Sequence, residues 1–396
     1  MSLRIVVIGG GASGLMAAIC AARLGAAVTV LEKNEKPGRK LLATGNGRCN
    51  LTNLRQEPDC YRTSDSELAQ TVLKQFTLGD TLSFFEQLGI CIHERNGWIY
   101  PASEQAESVL NVLLLEAGYR KVKIKTRETV QEILPDGQGY LVKTGTWQYP
   151  ADRVIVCCGS AASAVPGSGN FAQTIAKDLK LLTVPFLPSL CPLKCSGERF
   201  SSWAGVRILG SVKLLIDGKE AASEKGELQL TEYGISGIPV FQISGLAVRS
   251  VNEKRKVEVV LDFMPERSEE ELVAFLEQRR KVCPYKKESE LLIGVVPEKL
   301  IPIFLSKGKE FSRIASVMKQ YRLKVLGQSD FARGQVCQGG IRLCQLTKDL
   351  ESQKYPGLFF AGEALDVDGA CGGYNLQWAW SSGAVTGMAS AKEREQ

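Results

Sequence analysis

The N-terminus contains a glycine-rich turn between an apolar strand pattern and a helix pattern, and this turn constrains the fold most strongly. Residues 3–8 form a short β-branched run, typical of a strand buried on both faces of a parallel sheet. Residues 13–24 follow with helical spacing and many alanines, and Gly25 ends this pattern. A second apolar run, residues 27–31, ends on Glu32. Together these segments predict one βαβ unit.

Three glycines in the turn have the spacing of a dinucleotide-binding fingerprint. Gly9, Gly11 and Gly14 follow the first strand as G-x-G-x-x-G. In this fingerprint the first glycine allows a tight turn, the second lets the backbone approach a pyrophosphate, and the third lets helix and strand pack closely. The helix N-terminus then faces the phosphates, and Glu32 is placed to accept hydrogen bonds from ribose hydroxyls. The pattern predicts a dinucleotide site, but NAD and FAD share it.

The local pattern changes twice along the rest of the chain. Segments with helical or strand patterns alternate up to Pro185, short alternating segments fill 193–262, and 268–322 is helical with proline breaks. A strand followed by a helix from about Asn375 returns after Gly357. We therefore predict an α/β fold with a discontinuous FAD-binding Rossmann-type domain, an inserted β-rich domain and a small helical domain. The predicted limits are 1–188 with 335–396 for the FAD-binding domain, 189–264 with 325–334 for the barrel-like β-rich domain, and 265–324 for the helical domain.

The C-terminal string GLFFAGEALDVDGACGGYNLQWAWSSG decides between the two dinucleotides. It resembles the second FAD signature of the glutathione-reductase-like flavoproteins. This resemblance implies that Gly362 and Glu363 meet the pyrophosphate and ribityl region, and that Asn375 and Leu376 offer backbone N–H groups to the flavin. A helix N-terminus at that place favours the anionic reduced flavin. The predicted cofactor is FAD. Since no second Rossmann unit is visible, either NAD(P)H docks transiently as electron donor or the electrons come from the substrate itself.

Two further strings carry a resemblance over essentially the whole chain. GRKLLATGNGRCNLTN begins at Gly38 and GELQLTEYGISG begins at Gly226. With the C-terminal string, they resemble the BaiN/RdsA-type (YhiN-like) family of NAD(P)/FAD-dependent oxidoreductases. The family's architecture is an FAD domain interrupted by a β-rich domain that is itself interrupted by a helical one. This sequence departs from the family at Glu232, where a histidine is usual.

The resemblance assigns residues from three segments to the cofactor site. The N-terminal group is Gly9, Gly11, Ala12, Ser13, Gly14, Glu32 and Lys33. The middle group is Arg39, Lys40, Leu41, Gly45, Asn46, Gly47, Arg48, Asn50 and Gly159. The C-terminal group is Gly362, Glu363, Asp366, Gly373, Asn375 and Leu376. Lys40 and Arg48 suit either an anionic ligand or a structural salt bridge, and Asn46 and Asn50 suit left-handed turns as readily as ligand hydrogen bonds.

Two cysteines are the candidate catalytic residues. A flavin supplies hydride chemistry, so the protein adds positioning, charge stabilisation and one proton donor. Cys49 and Cys371 lie in glycine-rich loops that the resemblance places near the isoalloxazine ring, and a thiol can protonate one carbon of a double bond while hydride reaches the other. The alternative is that both are small side chains that fill tight loops. We assign no metal site.

Composition indicates where the protein is located, and the distribution of charge indicates what it can attract. Twelve cysteines without a framework spacing indicate reduced thiols and a cytoplasmic protein, and no apolar run approaches the roughly 20 residues of a membrane span. Residues 279–324 carry twelve basic and four acidic side chains, a surplus of +8 against +6 for the whole chain. Such a stretch can attract a phosphate backbone or an anionic substrate.

Activities in the resembling family include dihydrouridine formation in 23S ribosomal RNA, bile-acid ring reduction and aminoacetone oxidation. The basic stretch favours the first, since presenting one base to a flavin requires a surface that holds the surrounding phosphates. The leading hypothesis is reduction of a uracil in 23S rRNA to dihydrouridine with a nicotinamide donor. The alternatives are a small-molecule flavoenzyme, either a ring reductase or an amine oxidase, and a non-enzymatic flavin redox sensor.

Overall fold

The computed structural model of the chain describes residues 2–197, 200–306, 308–328 and 333–393. Some of the predictions above concern other residues. Lys307 of the basic stretch, residues 329–332 of the predicted β-rich domain, and Met1 and residues 394–396 of the predicted FAD-binding domain lie outside the described residues.

Strands and helices alternate through both ends of the chain, and a run of strands fills the middle. The strands are β1 (Arg4–Ile8), β2 (Ala27–Glu32), β3 (Thr52–Asn53), β4 (Tyr61–Thr63), β5 (Ile92–Arg95), β6 (Trp98–Pro101), β7 (Lys123–Thr126), β8 (Val130–Asp136), β9 (Gly139–Thr144), β10 (Gln148–Ala151), β11 (Arg153–Val156), β12 (Thr183–Ser189), β13 (Leu193–Ser196), β14 (Arg207–Ile216), β15 (Lys219–Thr231), β16 (Gly234–Ser236), β17 (Val257–Asp262), β18 (Tyr321–Gln328), β19 (Val336–Ile341), β20 (Leu358–Phe360) and β21 (Val367–Gly369). The helices are α1 (Ala12–Arg23), α2 (Arg39–Ala43), α3 (Ser66–Gln75), α4 (Leu78–Gln87), α5 (Ala106–Tyr119), α6 (Phe171–Asp178), α7 (Phe200–Trp203), α8 (Ile238–Asn252), α9 (Glu269–Val282), α10 (Ile301–Leu305), α11 (Phe311–Lys319) and α12 (Tyr374–Ser390).

The chain divides into two compact units. The first unit comprises Met1–Phe186 and Val336–Gln396, and the second comprises Leu187–Gln335. Both ends of the chain therefore belong to the first unit. The helices α9, α10 and α11 belong to the second unit with the neighbouring strands, so the division has no separate helical part.

A five-stranded sheet forms the centre of the first unit, in the order β20-β11-β1-β2-β7. All four of its strand pairings are parallel, as expected of strands that consist of continuous apolar runs. The strand β20 pairs with β11, so the far end of the chain completes the sheet that the N-terminal βαβ unit begins. The predicted α/β fold with a Rossmann-type unit assembled from both chain ends is confirmed.

Smaller sheets brace the loops of the first unit. Strands β3, β6 and β5 form one, β10, β9 and β8 form another, and β21 pairs with β4. In the last pair Val367 lies opposite Thr63, so the segment after β20 is held against a segment about 300 residues earlier.

A closed six-stranded barrel forms the centre of the second unit, in the order β13-β16-β15-β14-β17-β18. The helices α9 to α11 bury their apolar residues in the same core, where the rings of Phe263 and Phe304 lie 5.3 Å apart. Five of the barrel strands lie within 193–262, as the sequence predicts, but the helix α8 spans 15 residues of the same segment. The β-branched residues of α8 are typical of a strand. Pro239 in the first helical turn favours a helix, however, and the buried side chains of the segment recur with helical spacing.

The longest helix of the first unit is α12, with 17 residues. This is shorter than the roughly 20 residues that a bilayer span requires. Among the described residues, no helix combines the length and the apolar character needed to cross a membrane.

Candidate functional site

The turn between β1 and α1 has the steric properties of a dinucleotide-binding loop. A Cβ on Gly14 would overlap the carbonyl oxygen of Gly9, so this glycine is required by the protein itself. A Cβ on Gly11 would meet no protein atom within 4 Å. The protein therefore leaves space for a ligand to approach the backbone here, as the glycine fingerprint predicts for a pyrophosphate.

The N-terminus of α1 is available to an anion. No side chain caps the helix, and its first turn contains no acidic residue. Its first N–H groups have no acceptor inside the helix, and the helix dipole adds partial positive charge there. These properties fit a pyrophosphate group.

Glu32 lies at the end of β2 and is 7% exposed. Its carboxylate accepts hydrogen bonds from the Gly10 N–H at 2.8 Å and from the backbone N–H of Asn34 at 2.8 Å. The oxygen bonded to Asn34, Oε1, also accepts the side-chain amide of that residue at 2.8 Å. These bonds orient the side chain and leave a further lone pair on Oε2, the oxygen bonded to Gly10, for a ribose hydroxyl.

The turn at Gly362 follows β20 and lies against the start of α1. A Cβ on Gly362 would come within 2.5 Å of the Ser13 hydroxyl oxygen. Two residues of α12 hold the turn: the Trp378 indole N–H donates to the Gly362 carbonyl at 3.1 Å, and the Gly362 N–H donates to the Ser382 hydroxyl at 2.9 Å. The sequence reasoning missed both, although their i, i+4 spacing in the helix directly after the turn was a usable signal.

Helices α1 and α12 cross in close contact. A Cβ on Gly383 would lie 2.5 Å from the Ser13 carbonyl oxygen, and one on Gly387 would overlap the carbonyl oxygen of Ala17. The two backbones therefore approach more closely than any side chain would permit. This contact places the Gly362 turn beside the dinucleotide turn.

The loop after β2 contains α2 and then an irregular segment. Lys40 of α2 donates to the Glu363 carboxylate at 2.6 Å and to the Ala162 carbonyl at 3.2 Å. Asn46 and Cys49 have the positive φ angles 58° and 60°, a conformation unusual for residues other than glycine. Such strain is common where a loop approaches a ligand.

The N-terminus of α12 forms another group of available N–H donors. Gly373 precedes the helix, and the Gln377 N–H donates to its carbonyl at 2.9 Å. The side-chain amide of Asn375 is occupied with the backbone of Gly369, through bonds of 2.8 and 2.9 Å. The backbone N–H of Asn375 is therefore the group that remains for a ligand at the helix start, and its contact with the flavin stays a prediction.

Several predicted cofactor residues have partners inside the first unit. Asn50 is buried, and with its amide nitrogen turned towards them it donates to the carbonyls of Thr52 and Ile99. Asp366 is also buried and accepts the Ser64 N–H at 2.9 Å. These bonds give both residues a structural role, and their contact with FAD stays a prediction.

The remaining predicted residues differ in exposure. Arg48 is exposed and lies 3.7 Å from Glu104, and Leu41 is buried in the core. The partly or fully exposed ones are Gly9, Ala12, Lys33, Arg39, Gly45, Asn46, Gly47, Gly159 and Leu376. Each of these roles stays a prediction.

The two candidate cysteines have different surroundings. Cys49 is fully buried, and burial raises the pKa of its thiol to about 12. Cys371 is partly exposed, and burial raises the pKa of its thiol to about 11. Both thiols are therefore protonated at neutral pH, but only Cys371 is accessible to a substrate.

Tyr100 on β6 is a candidate that the sequence reasoning missed. A Cβ on Gly45 would lie 3.6 Å from its ring. Burial raises the pKa of Tyr100, the charge of Arg48 lowers it, and Cys371 raises it. Tyr100 thus lies among residues from two predicted site loops, and only the pairing of β6 with β3 brings it there.

The arrangement in the first unit fits FAD. An open approach at Gly11, an uncapped helix N-terminus and an oriented Glu32 carboxylate suit the adenosine diphosphate part. The uncapped α12 suits the flavin end. The string that begins at Gly226 lies in the second unit, where Glu232 is exposed.

Known proteins resemble this chain over nearly its whole length. Residues 3–389 match a family described as HI0933-like protein Rossmann domain. A 3-dehydro-bile acid delta(4,6)-reductase from Clostridium scindens is 42% identical, and the match covers 98% of this chain and 99% of that protein. A ribosomal RNA dihydrouridine synthase from Escherichia coli is 27% identical, with 95% of each chain covered. A solved structure of 3-ketosteroid-delta4-(5alpha)-dehydrogenase from Rhodococcus jostii RHA1 shares the fold at 15% identity, with a TM-score of 0.50 and coverage of 99% of this chain and 97% of that one.

Proposed function

This chain belongs to the HI0933-like Rossmann family and is an FAD-dependent oxidoreductase, and we propose that it reduces a carbon–carbon double bond conjugated to a ketone in a small apolar ring substrate. The observation that carries the proposal is the 42% identity to a bile acid reductase across both full chains. The match to an rRNA dihydrouridine synthase is also nearly full-length but reaches only 27%. The proposal therefore prefers the second of the two substrate hypotheses from the sequence.

The basic stretch at 279–324 supports the hypothesis of an RNA substrate less than its number of charges indicates. Arg279 donates to the carbonyls of Leu291 and Ile293, so its guanidinium braces the fold of the second unit. Arg280 forms an ion pair of 2.8 Å with Glu288, and Lys319 forms one of 2.8 Å with Asp262. Charges used in this way contribute less to a phosphate-binding surface.

The reaction requires a hydride at one carbon and a proton at the other. FAD supplies the hydride chemistry when bound, with NADH or NADPH as electron source. The chain must then hold a proton close to the substrate's second carbon. Cys371 is partly exposed in the loop before α12, and Tyr100, which is 8% exposed, interacts with it electrostatically, so these two groups are the candidate proton donors.

Anaerobic spectroscopy of the purified protein tests the proposal. The released chromophore should be FAD, and NADH or NADPH should bleach it. Addition of a 3-oxo-4,6-diene steroid acid should then restore the oxidised spectrum, with a product two hydrogens heavier. Restoration by a uracil-containing 23S rRNA transcript but not by the steroid would overturn the proposal in favour of the RNA substrate. Restoration by neither would favour the redox sensor, and turnover of aminoacetone with oxygen would favour the amine oxidase.

Charge reversal separates the substrates independently. Lys281→Glu with Lys309→Glu changes two exposed side chains of the basic stretch. Steroid turnover should stay within about twofold of the unchanged protein, because under the proposal the substrate is held by its ring at the flavin, and exposed, solvent-screened charges contribute little to binding. A large loss of steroid turnover would contradict the proposal, and a loss of RNA affinity alone would not affect it. Arg279 and Arg280 are unsuitable for this test because their partners are structural.

Cys371→Ala should lower the rate of substrate reduction by about 100-fold, the usual contribution of a positioned general acid. Because the pKa of Cys371 is raised to about 11, the thiol keeps its proton at neutral pH. The rate should therefore be level near neutral pH and fall as the pH rises through about 11. Rapid-mixing absorbance of the prereduced protein measures both effects.

Cys49→Ser is the matched control for this prediction, since its thiol is fully buried. It should change the rate by no more than about threefold, as expected of a group without substrate contact. If Tyr100→Phe causes the large loss and Cys371→Ala does not, the proton comes from the tyrosine and the assignment to Cys371 is wrong.

A further inference from the structure

The ion pair between Lys40 and Glu363 joins parts of the first unit that are far apart in sequence. Its nitrogen and oxygen atoms lie 2.6 Å apart, and 323 residues separate the two positions. Lys40 also donates to the carbonyl of Ala162, in the loop that follows β11. The second carboxylate oxygen of Glu363 accepts the Cys337 N–H at 2.8 Å. The ion pair thus connects the loops after β2, β11 and β20 with the strand β19.

The carboxylate lies in an unfavourable place for an acidic group if FAD binds as proposed. Its turn contacts the first turn of α1 through Gly362 and Ser13, where the helix N-terminus is suited to a pyrophosphate. A carboxylate beside two phosphate charges is repelled, and partial burial weakens the screening by water. The side chains of Lys40 and Glu363 are 31% and 18% exposed.

We propose that Lys40 is a positioning residue for FAD, which neutralises Glu363 so that this carboxylate can brace the loops without repelling the pyrophosphate. This inference rests on the proposed cofactor but not on the proposed substrate. It differs from direct binding of a phosphate by Lys40, because two of the three N–H donors of the ammonium group are directed at Ala162 and Glu363 and the proposed effect acts through the carboxylate. It also differs from a purely structural salt bridge, because its effect is on the charge that the ligand meets.

The proposal predicts an unequal response to removal of the two partners. Lys40→Met leaves an uncompensated carboxylate and should weaken FAD binding by about tenfold or more. Glu363→Gln keeps an acceptor for the Cys337 N–H and removes the negative charge, so it should weaken FAD binding clearly less than Lys40→Met does. The combination Lys40→Met with Glu363→Gln should recover most of the affinity that Lys40→Met loses.

The experiment is a titration of the flavin-free full chain with FAD, followed by flavin fluorescence, for the unchanged protein and the three variants. Raising the salt concentration should reduce the deficit of Lys40→Met, because salt screens a repulsion. Lys143→Met is a matched control: Lys143 pairs with Glu132 at 3.3 Å and is 33% exposed, but it lies in the sheet of β8 to β10. This control should bind FAD like the unchanged protein.

The proposal is overturned if the double variant binds FAD as weakly as Lys40→Met, since Lys40 would then act directly on the ligand or on the fold. It is also overturned if Lys40→Met binds FAD normally. Thermal unfolding of each flavin-free variant separates a folding defect from a binding defect. A failure of the proposed function gives a different result: the unchanged protein binds FAD but does not reduce the steroid. The FAD affinities of the variants can still be compared in that case.

Discussion

Gly11→Ala is expected to reduce the affinity for FAD by about 100-fold while leaving the free energy of unfolding of the flavin-free protein within about 0.5 kcal/mol. The methyl group would meet no protein atom within 4 Å, and Gly11 has φ −84°, which alanine adopts without strain. The added atom therefore costs the protein little and obstructs only a ligand that approaches the backbone. Equilibrium dialysis with FAD and urea unfolding measure the two quantities.

Alanine substitutions at two other glycines are the controls for this prediction. Gly14→Ala would place its methyl group on the Gly9 carbonyl oxygen, so it should destabilise the protein even without FAD. Gly118→Ala, in α5, also meets open space and should change FAD affinity by less than about twofold. Normal FAD binding by Gly11→Ala would show that no ligand approaches this turn, and would remove the principal support for the site.

Gly387→Ala is expected to destabilise the flavin-free protein by about 2 kcal/mol, and it should lower FAD affinity as well. Its methyl group would overlap the Ala17 carbonyl oxygen, so α12 must move away from α1. That movement would shift the Gly362 turn, which Trp378 and Ser382 hold through α12. Urea unfolding and FAD titration measure the stability and the affinity.

The same substitution at Gly118 is the control for helix propensity. Alanine in place of glycine in an exposed helix stabilises a protein by about 0.5 kcal/mol, because it restricts the unfolded chain. The two variants should therefore change the free energy of unfolding with opposite signs. Equal effects at the two positions would contradict the close contact between α1 and α12.

Local sequence patterns were sufficient to predict much of the secondary structure of the first unit. The apolar runs of β1, β2 and β11 and the glycine spacing after β1 are properties of adjacent residues, so they can be read from the sequence. The α8 segment shows where this fails. Its β-branched residues favour a strand locally, and the core of the second unit decides for the helix.

The candidate site depends more on contacts between distant residues. Cys49 and Cys371 were equivalent as thiols in glycine-rich loops, and only packing buries the first completely and leaves the second accessible. Tyr100 had no motif around it, and its place beside Gly45 follows from the pairing of β6 with β3. From the sequence, Arg279 is one more basic residue in a charged stretch, and only the tertiary structure pairs its guanidinium with backbone carbonyls.

The sequence by itself determined that the chain begins with a dinucleotide-binding βαβ unit and that the cofactor is FAD, because glycine spacing and the C-terminal string are encoded in contiguous residues. Only the tertiary structure decided which charges and thiols face which partners, as in the pairing of Lys40 with Glu363. The physical reason is that an ion pair or a buried side chain depends on which loops meet. Those loops come from opposite ends of the chain and are brought together by the parallel sheet and the crossing of α1 with α12.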